Sequence, residues 1–405
     1  MSLRPAAPGL HGVFLKAQKL LQGRLVYCLP LIQVWDIRLV DITLKAEIMG
    51  SSNHQNSFDA MRFILSSAVL FSHHFALSGY VEPKFPFLDI SVGNFAVFAF
   101  FTISGFLMYG SLNRSNNFFC YFTSRILRLA PGLIVAVIIT SLLLMYIFDN
   151  FSNLNAHLLY IRRDSFSFMS EPSYFIRGVF DDRPNRGVNG SLWTLQYEFF
   201  LYIVIFLVFF LPRKALPIAL IFLMSACLFG YYAHDSHRFR LGTFHLNSEF
   251  IWSNGLHFFM GATIAHFWRL ISTYRITSLI ASSCLAVVFI FVFPFAKLLG
   301  LGFLWVPFLF VCMSRVAGKF SRLGDPSYGV YIYAFPIQQV MIIFIASFWL
   351  SMFSSFLLTA SIGYLCWHTI EKKALAHRRT IASFLNNAPG AFRNFLTKFL
   401  NSNAH

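Results

Sequence analysis

Arg62 and His73 lie eleven residues apart in FDAMRFILSSAVLFSHH. At about 100° per residue, eleven steps make three helical turns plus roughly 20°, so both side chains share one helix face, about 16 Å apart along the axis. A neutral imidazole can serve as a general base near pH 7, whereas a charged group inside a membrane costs on the order of 2.5–3.5 kcal/mol and calls for a reason. His73 is thus a candidate base, with a packing histidine bonded to neighbouring backbone or hydroxyl as the alternative. His74, about 100° round the helix, is expected to pack.

Arg125-Ile-Leu-Arg128, followed by Pro131, carries two guanidinium groups one turn apart. That geometry suits phosphate oxygens, although the inner end of a membrane helix attracts arginines in any case. Glu198, in SLWTLQYEFFLY, enters an apolar segment with Tyr197 and Tyr202 nearby in sequence. A carboxylate there needs a partner: either an ion pair with an arginine or histidine, or the catalytic histidine that it would orient. The thirteen histidines include His234, His237, His245, His257 and His266, but their spacings do not put three ligands on one surface, so no metal is expected. Neither a GxSxG elbow nor a Walker loop occurs.

The elements that position these groups follow from composition. Of 405 residues, 57% are hydrophobic and 12% charged, with a mean hydropathy of +0.63, which excludes an ordinary soluble domain. Apolar runs near 60–79, 92–112, 127–148, 192–211, 215–233, 250–268, 276–296, 299–316, 327–347 and 349–370 have the length of membrane spans. The fold class is all-α, a polytopic membrane bundle of about ten helices, since helices satisfy their backbone polar groups within one segment and no barrel-type alternation occurs. The net charge of +16 falls mostly between the apolar runs rather than in an aromatic-rich basic patch, so membrane topology explains it and nucleic acid does not. With the first helix running outward, sixteen basic residues lie inside and nine outside, five of those nine in one long loop. Both termini are then cytoplasmic. The six cysteines are scattered without framework spacing and read as core residues.

Residues 149–191 form a polar loop too long for a connector, suited to gripping a substrate or to sealing the bundle on the extracytoplasmic side. Residues 1–57 are an N-terminal extension without a full span; Met49, at the head of a polar stretch, is the expected translation start, with an amphipathic cytoplasmic extension as the alternative. Residues 58–376 are the membrane domain. The basic, amphipathic tail 377–405 is expected to lie on membrane lipid at the inner leaflet.

The stretches FDAMRFILSSAVLFSHH, FFTISGFLMYGSL, FTSRILRLAPGL, SLWTLQYEFFLY, GDPSYGVYIYAFPIQQ and HTIEKKAL, in that order and each beside an expected span, resemble the acyltransferase 3 family over about 58–376. Any single match is weak; the series is specific. The resemblance implies a bacterial inner-membrane enzyme that moves an acyl group, usually acetyl from acetyl-coenzyme A, to a hydroxyl of an envelope glycan such as O-antigen or exopolysaccharide. It implies His73 as catalytic base paired with Arg62, Arg125 and Arg128 on the acyl-CoA, and Glu198 as the fourth-helix acid. Where the family often has histidine this chain has Ala334, so no catalytic role falls there. Longer family members carry a fused extracytoplasmic domain; this chain is expected to act alone or with a separate extracytoplasmic partner. An acyl-histidine intermediate is the alternative to direct base catalysis, and a glycan or lipid-linked sugar transporter is the alternative function, since buried ionisable groups also mark translocation paths.

Overall fold

The computed structural model describes residues 56–387, apart from 115–117, 234–235 and 294–295. The N-terminal extension with Met49 and the distal part of the basic tail lie outside the described residues. Each of the ten apolar runs coincides with a helix: α1 (Phe58–Leu77), α2 (Val92–Arg114), α3 (Phe118–Ile147), α5 (Trp193–Val208), α6 (Leu216–Tyr232), α7 (Ser248–His266), α9 (Arg275–Val287), α10 (Lys297–Met313), α11 (Ser327–Phe344) and α12 (Phe348–Cys366). The shorter helices are α4 (Leu154–Asp164), α8 (Trp268–Thr273), α13 (Lys372–Ala376) and α14 (Arg378–Asn387).

Among the described residues, seven helices are long and apolar enough to cross a membrane, and α6 and α10 are shorter apolar helices. The remaining segment, α7, carries Asn254 and His257 inside the protein, and both are buried. Large apolar side chains cover the outside of the bundle, and polar ones are buried within an otherwise mainly apolar interior. Ile276, Ile280 and Phe291 along α9 and its π-helical end, and Trp349, Phe353 and Leu357 on α12, are exposed, whereas Ser66, Ser72, Thr102, Gln338 and Gln339 are buried. That arrangement fits a lipid surround, in which association depends on close packing and interior hydrogen bonds. Packing is closest where glycines face helix backbone: a Cβ at Gly105 of α2 would meet the Phe258 carbonyl of α7, and one at Gly261 of α7 would meet the Thr102 carbonyl of α2. Gly329 and Gly363 bring α11 and α12 together in the same way.

Two short hairpins depart from the all-α expectation. Strands β1 (Lys84–Phe85) and β2 (Ile90–Ser91) pair between α1 and α2, and β3 (Arg238–Leu241) pairs with β4 (Phe244–Asn247) between α6 and α7. The second hairpin turns at Gly242, whose φ of +60° suits a residue without Cβ.

The long loop between α3 and α5 docks on α11 for a backbone reason. Pro336 has no N–H, so the carbonyl of Ile332 loses its helical donor. The Asn189 side chain donates to that carbonyl at 2.8 Å, and Gln339 donates to the carbonyls of Asn185 and Gly187 at 2.8 and 3.0 Å. Loop and helix are thereby stitched over Phe335, whose ring a Cβ at Gly190 would strike.

Candidate functional site

Helix α1 positions both ends of the site. His73 stands one turn before its end, partly exposed, with Nδ1 3.6 Å from the Glu82 Oε1. Its ring meets Phe335 edge-on at 5.6 Å between centroids. Glu82 comes from the segment that folds back after α1, where the Ser72 hydroxyl donates to its other oxygen at 2.6 Å. Hydrogen bonding to His73, reinforced by Ser72, outweighs burial and holds the Glu82 carboxyl down at about 2. The Glu82 carboxylate faces Nδ1 from just beyond hydrogen-bond length; among the described residues nothing is bonded to Nε2.

His74 packs, as its angular position requires: Nε2 meets the Ser351 hydroxyl at 3.0 Å, Nδ1 meets the Gln338 amide at 3.1 Å, and the residue is fully buried. One residue of register therefore separates a structural histidine from one open to chemistry.

At the other end of α1, Arg62 donates to Asp325 at 3.3 Å and lies 3.9 Å from Asp59. Arg128 reaches the same Asp325 oxygen at 2.5 Å and Glu371 at 3.0 Å, its guanidinium over the Tyr328 and Trp367 rings. Asp325 also accepts from the Ser327 amide and hydroxyl, which starts α11. Burial alone would raise this carboxyl; the Arg128 and Arg62 charges overcome that and hold it below the usual range.

Arg125 differs from its neighbour. Its Nε is buried with no partner, and among the described residues no carboxylate pairs with it. It lies within electrostatic range of Arg62, Arg128, Arg114, Tyr121 and Tyr202. The expected partner of Glu198 also changes. Its carboxylate accepts from the hydroxyls of Ser104, at 2.8 Å, and Tyr202, with no ion pair among the described residues. The carboxylate beside His73 is Glu82.

The structure thus brings Arg62, Arg125 and Arg128 to one end of α1 and His73 to the other, with Glu198 on a separate hydroxyl pair. Sequence reasoning did not assign Glu82, Asp325, Glu371 or Arg114. Asp325 and Glu371 stand inside GDPSYG and HTIEKKAL, so a signal existed; Glu82 gave only its position, nine residues after His73 in a loop. Among the described residues no cluster of histidine, cysteine and carboxylate could hold a metal ion.

The helical bundle, with large apolar side chains on its outside, carries a histidine–carboxylate pair at one end of α1 and clustered guanidiniums at the other. The chain belongs to the acyltransferase 3 family, whose model, described as an acyltransferase domain, matches residues 55–368. An O-acetyl transferase of Shigella phage Sf6 is 33% identical over 337 residues, covering 79% of this chain and 96% of that protein. Nodulation protein 10 of Rhizobium leguminosarum bv. viciae is 25% identical over 371 residues, covering 82% and 96% respectively. No solved structure matches. Family membership and the seven apolar helices together make this an integral membrane acyltransferase.

Proposed function

We propose that the protein transfers an acetyl group from acetyl-coenzyme A to a hydroxyl of an extracytoplasmic carbohydrate, with His73 as general base. The observation that carries this reading is the His73–Glu82 pair, 3.6 Å apart, on the same helix as the arginine cluster. The relative named an O-acetyl transferase supports the transferred group. Ten spans with both termini cytoplasmic, in a bacterial inner membrane, agree with the sixteen-to-nine division of basic residues.

In this reading the coenzyme enters from the cytoplasm and its phosphates engage Arg125, the guanidinium without a carboxylate, within the field of Arg114 and Arg128. The about 16 Å between Arg62 and His73 along α1 is then the path of the pantetheine arm. Nε2 of His73 takes the proton of the acceptor hydroxyl as its oxygen attacks the thioester carbonyl. The C–S bond breaks, and the imidazolium returns the proton to the departing thiolate. Glu82 stabilises the imidazolium through Nδ1–H; a bond that is long in the free enzyme can shorten when substrate is bound.

The test is transfer of labelled acetyl from acetyl-coenzyme A to alkali-labile glycan in membranes, comparing wild type, His73→Ala and Arg125→Ala at matched expression. His73→Ala is expected to lower turnover about 10²- to 10⁴-fold. Arg125→Ala is expected to raise the KM for the donor. Full turnover in His73→Ala would overturn the base assignment, and absence of label with wild type would overturn the reaction.

A further inference from the structure

A groove of about 650 Å³ opens at the His73 end, between residues 171–174, the β3–β4 hairpin and the first turns of α5 and α7. We propose that this groove binds a pyranose unit of a glycan, laid on an aromatic floor of Trp193, Tyr197 and Phe250 and held through its hydroxyls by Gln196, Glu171 and Arg238. That the bound glycan is the acyl acceptor rests on the reading above.

The floor is a mutually packed aromatic cluster. Trp193 and Phe250 have centroids 4.6 Å apart, Trp193 and Tyr197 5.6 Å, and Tyr197 and Phe250 5.9 Å. A pyranose ring presents C–H bonds on its faces, and the negative face of an aromatic ring attracts their positive edges. Its hydroxyls donate and accept, so a site for it must do both. Glu171 accepts, 3.5 Å from His245, and the exposed Arg238 donates. Gln196 supplies the strongest indication. Its residue is 2% exposed, it lines the groove, and its Oε1 has no partner. Leaving such an acceptor unsatisfied costs about 1–3 kcal/mol, and a turn of the side-chain amide as a sugar binds would bring it to a hydroxyl that donates to it.

The wall is also strained where it meets the groove: Tyr174 has φ +61°, a conformation rare for a residue with a large side chain. The volume falls within the ~300–1,000 Å³ typical of ligand sites. A lipid chain would find carboxylate, amide and guanidinium along its length, so the groove fits a polyhydroxylated ligand better, and Arg238 and Arg240 beside the one Glu171 let that sugar be neutral or acidic. It is linked to the base in sequence and packing: the 3₁₀ turn Gly190–Leu192 leads into Trp193, Gly190 lies on Phe335, and the Phe335 ring meets His73 edge-on.

The experiment uses the full chain in lipid nanodiscs, probed against an array of bacterial O-antigen and capsular oligosaccharides, with acetyl transfer measured in parallel. Wild type and His73→Ala are expected to bind the same saccharides. Trp193→Ala and Arg238→Ala should bind them about tenfold more weakly, with Arg238→Ala unfolding at the wild-type temperature because that side chain is exposed. Array binding lost in these variants while wild type transfers no acetyl would uphold the groove and remove the acyltransferase reading. Acetyl transfer with an unchanged acceptor KM in both variants would do the reverse. A wild type that binds none of the saccharides overturns the groove.

Discussion

His73 and His74 show how one step of register changes a side chain's surroundings. His74 has both nitrogens occupied in the core, whereas His73 has Nδ1 facing Glu82 and, among the described residues, no partner on the other nitrogen. Glu82→Gln keeps the volume and removes the charge that would stabilise an imidazolium. Turnover is expected to fall roughly tenfold or more with donor KM unchanged, read from labelled acetyl transfer. Since the Glu82 carboxyl is held at about 2, its contribution to stability is present above its ordinary value and lost only as pH falls through about 2. The deficit in Glu82→Gln should therefore not arise from titration of this carboxyl between pH 6 and 8. Asp164 behaves oppositely. It is fully buried, accepts from the Ser173 amide at 2.9 Å and has a second oxygen without a partner. Burial pushes it up from 3.8 to about 7, although the Ser173 and Tyr174 amides pull the other way. Between those values the folded chain binds the proton more tightly than the unfolded chain, so stability falls as pH rises through that window. Asp164→Asn removes the titration while leaving the amide acceptor. Its stability advantage over wild type is expected to widen by up to a few kcal/mol from pH 5 to pH 8, read by thermal unfolding. A constant difference would contradict the assignment.

At the scale of elements, Asn189 carries more than its loop position suggests. It satisfies the Ile332 carbonyl freed by Pro336 and, through its side-chain oxygen, accepts from the Ser191 amide that opens the turn before α5. Asn189→Ala leaves a buried carbonyl without a donor, and a loss of about 1–3 kcal/mol in stability is expected. Limited proteolysis within 180–190 should accelerate, because the same side chain stitches that loop to α11; unchanged cleavage would mean that Gln339 holds it alone. The periodicity behind such elements was legible. All ten apolar runs are helices, and the eleven-residue spacing of Arg62 and His73 is realised in one helix, α1. The hairpins were not legible, because Lys84–Phe85 and Ile90–Ser91 are too short to show alternation. Glu82 reaches His73 only through the return of that segment, a tertiary contact with no local period. Glu198 shows the converse limit: the need for a partner was readable from an acid in an apolar run, but two hydroxyls supply it instead of a charge.

Across the whole molecule, charge is segregated along α1. The His73 end holds the His73–Glu82 pair beside aromatic rings, while the Arg62 end gathers α1, α3, α11 and the π-helical end of α12 around Asp325. Two guanidiniums from different helices share one oxygen of this carboxylate, so it acts as the junction at which these elements meet. The positive-inside tendency explains why arginines accumulate here, but not why Arg62 and Arg128 pair with carboxylates while, among the described residues, Arg125 does not. Pairing the first two ties the helices together, and in the proposed function the third is the one that meets the donor's phosphates. Asp325→Asn separates these roles. It leaves Arg62 with Asp59 at 3.9 Å and Arg128 with Glu371, so the junction loses its shared anion. Removing one partner of a buried ion pair costs about 3–5 kcal/mol, and a fall of several degrees in unfolding temperature is expected in nanodiscs. Because Arg125 does not depend on Asp325 for a partner, donor binding should survive at temperatures where the variant is folded, as measured by equilibrium binding of acetyl-coenzyme A. Loss of donor binding without loss of stability would instead make Arg62 and Arg128 the ligand's contacts and Asp325 their orienting group.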